Sequence, residues 1–260
     1  MKYIALEEAF SIPELDRLPF GGYGPRRNQR RVEDWARKLP DFTEYRLPDM
    51  DAAGIDIQVL SLTIPGLQAD IDPAAAREDA RFANDYLARV GAEHPDRFRG
   101  FAALPMQDPA AAVAELERAV RELAFCGALV NDHLQGHYLD DPRYDRHPAA
   151  TLILGHMGEF LPFMRSRLDS RYLTLDPDSP LQRMPSAYIG SNVVITTSGV
   201  FSPAALTGAV LEIGADAIMF SIDYPYESSL DAVAGFERTT LSGTDRHKIA
   251  HGNAERILRL

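Results

Sequence analysis

The sequence predicts a parallel α/β domain. Two observations carry that reading: seven short, continuously apolar runs that each end at polar, Gly or Pro residues, and longer helical patterns between them. A strand covered on both faces needs apolar side chains at consecutive rather than alternate positions. Regular alternation of such strands with helices indicates a parallel sheet.

The first run is Tyr3-Ile4-Ala5-Leu6, leading into Glu7 and Glu8. Ile57 to Leu62, Phe101 to Leu104 and Ala128 to Val130 follow, the last ending at Asn131-Asp132. Leu152 to Leu154 precedes Gly155-His156, Val193 to Ile195 precedes Thr196-Thr197, and Ile218 to Phe220 precedes Ser221-Ile222-Asp223. Helices are expected over Pro73–Ala92 and Pro109–Leu123, each with Pro in the first turn, and over Ser202–Ile213 and Asp245–Leu260. Ser11 to Pro40, rich in Pro, Gly and Arg, reads as an excursion loop. Asn131 to Thr151 has the length of a crossover, yet Gly136, Pro142 and Pro148 interrupt it and no amphipathic pattern is visible. No linker divides the chain, so residues 1–260 are expected to form a single domain.

The bulk numbers exclude some functions. With 38 acidic against 27 basic residues the 260-residue chain carries a net charge of −11, which disfavours nucleic acid and anionic membranes as partners. One cysteine, Cys126, rules out an internal disulfide and a Cys-rich zinc site, and its apolar neighbours suggest a buried thiol. No apolar run reaches the ~18–20 residues of a membrane span, and an opening that turns acidic at Glu7-Glu8 is unlike a signal peptide, so a cytoplasmic location is expected.

In a parallel barrel the working groups sit at the C-terminal ends of the strands. That rule selects Glu7 and Glu8, Asn131, His156 with Glu159, and Asp223. Carboxylates and an imidazole converging at one mouth suit a divalent cation.

The strings around these residues are distinctive: Ala5-Leu6-Glu7-Glu8-Ala9-Phe10, Leu154-Gly155-His156-Met157-Gly158-Glu159, Ile195-Thr196-Thr197-Ser198-Gly199 and Phe220-Ser221-Ile222-Asp223-Tyr224-Pro225-Tyr226-Glu227. Nearly along its whole length the chain resembles the amidohydrolase-related aromatic-acid decarboxylases, a group that includes γ-resorcylate, 2,3-dihydroxybenzoate and 5-carboxyvanillate decarboxylases. The resemblance implies a TIM-barrel-like (β/α) metal-dependent hydrolase fold and non-oxidative loss of CO2 from a hydroxylated aromatic carboxylate. It further implies a divalent metal, Zn or Mn, and a homodimer or homotetramer. Glu7, Asp223 and His156 would be metal ligands, and Asp223, His156 and Glu159 the catalytic group with Asp223 as proton donor. Arg167, Arg46 and Asn131 would contact substrate, Arg46 from a neighbouring subunit. Where some members carry a second ligand as Glu-x-His, this sequence has Ala9.

One departure stands out. The family places a strand ending in His-Pro, whose His is a metal ligand, between the Val-Asn and Gly-His-Met-Gly strands. Here Tyr138 to Asp145 resembles the segment before that stretch and Arg146-His147-Pro148 the segment after it, so a fifth strand, its helices and one ligand are expected to be missing, with the join near Asp145. His133, His137 and His147 are the histidines near enough in sequence to substitute. The surviving residues would also serve a metal-dependent lactone or ester hydrolase, and loss of a ligand leaves room for an inactive homologue.

Overall fold

The structure is a computed structural model that describes residues 1–15, 28–68, 71–131, 133–139, 141, 150–175 and 181–260. The chain divides into two compact units: Met1–Glu7, His147–Asp223 and Glu227–Leu260 form the first, and Glu8–Arg146 with Tyr224–Tyr226 the second. Among the described residues no helix is long and apolar enough to cross a membrane.

In the first unit, β4 (Leu152–Leu154), β5 (Val193–Thr196) and β6 (Ile218–Met219) form a parallel sheet in that order. Leu154 is level with Ile195, and Ile195 with Ile218. The start of β1 (Ile4–Phe10) extends the sheet, because Leu6 bridges Ser221 in parallel and its N–H donates to the Phe220 carbonyl at 3.4 Å. Ile4, Leu6, Ile195, Ile218, Met219, Ile249 and Ala254 have no exposure, and burial of each large aliphatic among them is worth about 1.5–3 kcal/mol. The Tyr3, Phe220 and Phe236 rings pack together at centroid distances of 5.1–5.9 Å, the first pair tilted and the other two edge-on. Around this sheet lie α5 (Arg165–Leu175), α6 (Pro203–Ile213), α7 (Ser229–Arg238), α8 (Gly243–His247) and α9 (Asn253–Leu258).

In the second unit the end of β1 pairs with β2 (Ile57–Leu62), which pairs in parallel with β3 (Phe98–Gly100). All six residues of β2 are buried, as its continuous apolarity requires. Its helices are α1 (Gln29–Lys38), α2 (Arg46–Ala53), α3 (Pro73–Glu93) and α4 (Pro109–Glu122). Asp72 and Asp108 cap α3 and α4, their carboxylates accepting first-turn N–H groups while Pro occupies the next position, where no N–H is needed.

Several expectations need correcting. The third strand ends at Gly100, with one further bridge from Ala102 to Ala128, because the Asn84 side chain takes both the N–H (2.9 Å) and the carbonyl (3.0 Å) of Ala103. The expected strand at Ala128–Val130 is reduced to that single bridge, since the Gln68 amide claims the backbone of Asn131. The segment from Ser11 to Pro40 is not loop throughout: α1 lies within it, capped by Asn28, with Val32 buried on its inner face. The expected helix from Asp245 to Leu260 is α8, a π-turn over Lys248–Gly252 and α9, with the Asn253 amide donating to the Ala215 and Ile218 carbonyls at 2.7 Å. Finally, β4 is an edge strand among the described residues, and Leu152 is 44% exposed rather than covered on both faces.

Candidate active site

All the strands of the first unit run in one direction, so the residues that follow them emerge at one end of the sheet. Glu7 follows the Leu6–Ser221 rung by one residue and Asp223 by two; His156 lies two beyond the Leu154–Ile195 rung. Each of the three adopts a left-handed backbone, with φ of 60°, 82° and 49° respectively. Such a conformation costs a non-glycine residue about 1–3 kcal/mol and persists only where the surroundings enforce it. It turns each side chain away from the direction a regular strand or turn would give it.

The surroundings are specific. Met157 and Gly158 seat the His156 turn on β5: Met157 is 4% exposed, and a Cβ at Gly158 would lie 2.6 Å from Ile195 Cγ2. The Thr196 hydroxyl donates to Glu7 Oε2 at 2.8 Å. Gly155 leaves space for the other oxygen, since a Cβ there would lie 2.6 Å from Glu7 Oε1. His156 shares a proton with Glu159, Nδ1 to Oε1 at 2.8 Å, and turns Nε2 toward Asp223 Oδ2 at 4.0 Å. With Nδ1–H committed to Glu159, the Nε2 lone pair faces Asp223. Gly199, at φ 64°, passes close by, with its Cβ position 3.7 Å from His156 Cδ2 and 3.8 Å from Asp223 Oδ2.

The electrostatics follow from enclosing two carboxylates together. Burial raises the Asp223 carboxyl from 3.8 to about 7; His156 opposes this, while Glu7 and Glu227 reinforce it. Burial also raises Glu7, against the pull of Thr196, Ser198 and His156. The Ser198 hydroxyl lies beside Glu7 but makes no hydrogen bond of normal geometry, and it is completely buried.

These features test the cluster as a cation site. Its donors are of the right kind: two carboxylates held toward protonation by burial, and an imidazole. The count is short. Among the described residues no group of three His, Cys, Asp or Glu side chains is placed so that it could hold a metal ion.

Other expected site residues lie elsewhere. Glu8 is fully buried in the second unit, where its Oε2 accepts the Tyr224 N–H at 2.9 Å. Arg46, expected to reach a neighbouring subunit's substrate, has no exposure. Its guanidinium donates to Ala9 O (2.5 Å), Gln58 Oε1 (3.0 Å) and Asp41 O (3.3 Å) and lies 4.5 Å over the Tyr224 ring, so it is committed to the core. Asn131 belongs to the second unit with its backbone bound to Gln68. Arg167 is exposed on α5 with no ion pair among the described residues. His133 accepts the Gly136 N–H at 3.1 Å, and His137 pairs with Asp141 at 2.7 Å. Asp145 and His147 fall outside the described residues. Sequence reasoning assigned no role to Thr196, Ser198 or Gly155; three successive hydroxyls closing an apolar strand were the available signal.

The amidohydrolase family model matches residues 11–146 and 144–260, which together leave out only the first ten positions. The chain belongs to the amidohydrolase family. Within that family, the γ-resorcylate decarboxylase of Polaromonas sp. is 37% identical over 327 aligned positions, covering 99% of this chain and 98% of the relative. A solved 2,6-dihydroxybenzoate decarboxylase in complex with 2,6-dihydroxybenzoate superposes with a TM-score of 0.88 at 36% identity, covering both chains completely. A dihydroxybenzoic acid decarboxylase from Polaromonas sp., holding manganese and the inhibitor 2-nitroresorcinol, superposes at 0.89 with 35% identity, covering all of this chain and 97% of that one. This amidohydrolase therefore has the TIM-barrel-like mixed α/β fold of those enzymes. Because 327 aligned positions face 260 residues, at least 67 positions have no counterpart here. The two matched blocks meet at 144–146, where the internal gap was expected.

Proposed function

We propose that this amidohydrolase catalyses metal-dependent, non-oxidative decarboxylation of a dihydroxybenzoate-type aromatic acid. The observation that carries the proposal is the convergence of Glu7, His156 and Asp223 at one end of a parallel sheet, each on a left-handed backbone. Relatives that share 35–37% of its sequence over nearly full length are decarboxylases of such acids.

Glu7, Asp223 and His156 would hold a divalent cation, Mn or Zn, by drawing closer together than they stand in the metal-free chain. When bound, it supplies a Lewis acid that orients a carboxylate and its ortho oxygen. Asp223 is the proton donor. In the metal-free chain burial raises its carboxyl to about 7, above the ordinary carboxylate range. It delivers that proton to the ring carbon bearing the carboxylate. The carbon–carbon bond then breaks, its electron pair returns to the ring, and CO2 leaves. The resulting Asp223 carboxylate regains its proton from solvent through His156, whose Nε2 faces it and whose Nδ1 is paired with Glu159. Arg167, exposed and without an ion-pair partner among the described residues, remains the arginine available for a substrate carboxylate. With few protein ligands, metal affinity is expected to be weak, since loss of a supporting group typically weakens binding about 10–100-fold.

The test is CO2 release from 2,3- and 2,6-dihydroxybenzoate by the chain loaded with Mn or Zn, beside Asp223→Asn and a lactone panel. Metal-dependent release abolished by the substitution is the expected result. Hydrolysis of lactones without CO2 release would overturn the proposal.

A further inference from the structure

Glu8 is a buried carboxylate that the chemistry above does not use. It has no exposure, and its Oε2 accepts the Tyr224 N–H at 2.9 Å. That N–H belongs to the same planar peptide as the Asp223 carbonyl, so the bond fixes a plane attached directly to the proton donor.

Asp223 needs such restraint, because its left-handed backbone, at φ 82°, persists only where neighbours enforce it. Hydrogen bonds brace it on both sides. Gly199 N–H donates to the Ile222 carbonyl at 3.1 Å, Glu227 N–H to the Asp223 carbonyl at 3.0 Å, and Ala9 N–H to the Tyr224 carbonyl at 2.8 Å. Of these partners and Glu8, only Glu8 acts through a side chain. A hydrogen bond to an ionised acceptor is comparable in strength with the cost of a left-handed residue, so its loss lets the turn relax. The Glu8 charge also acts on the buried Arg46 guanidinium, which lies 4.5 Å over the Tyr224 ring. A counter-ion role would depend on that charge, whereas a positioning role depends on where the acceptor oxygen stands. We propose that Glu8 is a positioning residue for Asp223, holding the peptide that follows it so that the Asp223 carboxyl faces His156. The inference rests on the decarboxylase reading, in which Asp223 binds the metal and donates the proton.

Two variants of the full chain separate charge from reach. Glu8→Gln keeps an acceptor oxygen at the same reach and removes the charge; Glu8→Asp keeps the charge and withdraws the acceptor by one methylene. Manganese affinity is measured by titration, and CO2 release from 2,6-dihydroxybenzoate at saturating manganese. Glu8→Asp is expected to weaken manganese and lower kcat about 10- to 100-fold, the equivalent of a hydrogen bond to a charged group, with KM little changed. Glu8→Gln should stay close to the parent in both, although its melting temperature is the lower of the two. In an Asp223→Asn background, Glu8→Asp should cost no further manganese affinity, since it acts through the residue already removed. Impairment of Glu8→Gln equal to that of Glu8→Asp, or losses that add in the double variant, overturns the assignment. Should Glu8→Asp not fold, a folded Glu8→Gln with weakened manganese binding overturns it equally. A parent that binds manganese without releasing CO2 sinks the decarboxylase reading and leaves the manganese comparison to decide the role of Glu8. A parent that binds no manganese overturns both.

Discussion

Replacing Asp223 by Asn should stabilise the metal-free protein at neutral pH, and progressively less as the pH falls. The unfolded chain releases the Asp223 proton near 3.8, whereas burial in the folded chain holds it to about 7. Between those values the folded state binds more protons, so its stability falls by about 1.4 kcal/mol per pH unit as the pH rises. That contribution is whole below 3.8 and lost above about 7. A rise from 3.8 to about 7 corresponds to about 4 kcal/mol at most. The side chain is 26% exposed, and solvent relaxes part of the penalty, so about 1–2 kcal/mol should appear between pH 5 and 8. Asparagine keeps the shape and never titrates. Urea unfolding of both proteins in chelator at pH 5, 6, 7 and 8 measures the effect: the gap in favour of the variant should widen with pH. Parallel curves, or a variant that is the less stable at pH 8, would refute the reasoning. Saturating manganese should reverse the ranking, because a ligand that binds only the folded parent stabilises it.

Gly155→Ala puts a Cβ 2.6 Å from Glu7 Oε1 and must displace the carboxylate, so manganese titration should show affinity weakened about 10-fold with little change in melting temperature. Arg46→Met leaves the Ala9 carbonyl and Gln58 Oε1 buried without their donor; unfolding free energy should drop by about 3–5 kcal/mol. A purely substrate-directed Arg46 would instead change KM at constant stability. Burial pushes the Cys126 thiol up to about 11, so its labelling by a disulfide reagent at pH 8 should run about 100-fold slower than that of an ordinary thiol and become fast in denaturant.

The local elements were legible because their causes are local. β2 and β4 begin and end at the residues their apolar runs mark, and α3 and α4 start at Pro73 and Pro109 behind aspartate caps. The motif around His156 and the gap at 144–146 were likewise readable, since both are properties of residue order. Tertiary structure alone decided the rest. Asn84 ends β3 from 19 positions away, and Thr196 reaches Glu7 across 189, separations over which no periodicity carries information. Glu7 and Glu8 are indistinguishable as neighbours in sequence. The left-handed turn at Glu7 sends one toward His156 and Asp223, while the other is sealed against the Tyr224 backbone. Arg46 likewise shows its role only through the ring and carbonyls that enclose it, because an arginine's worth depends on what surrounds its charge.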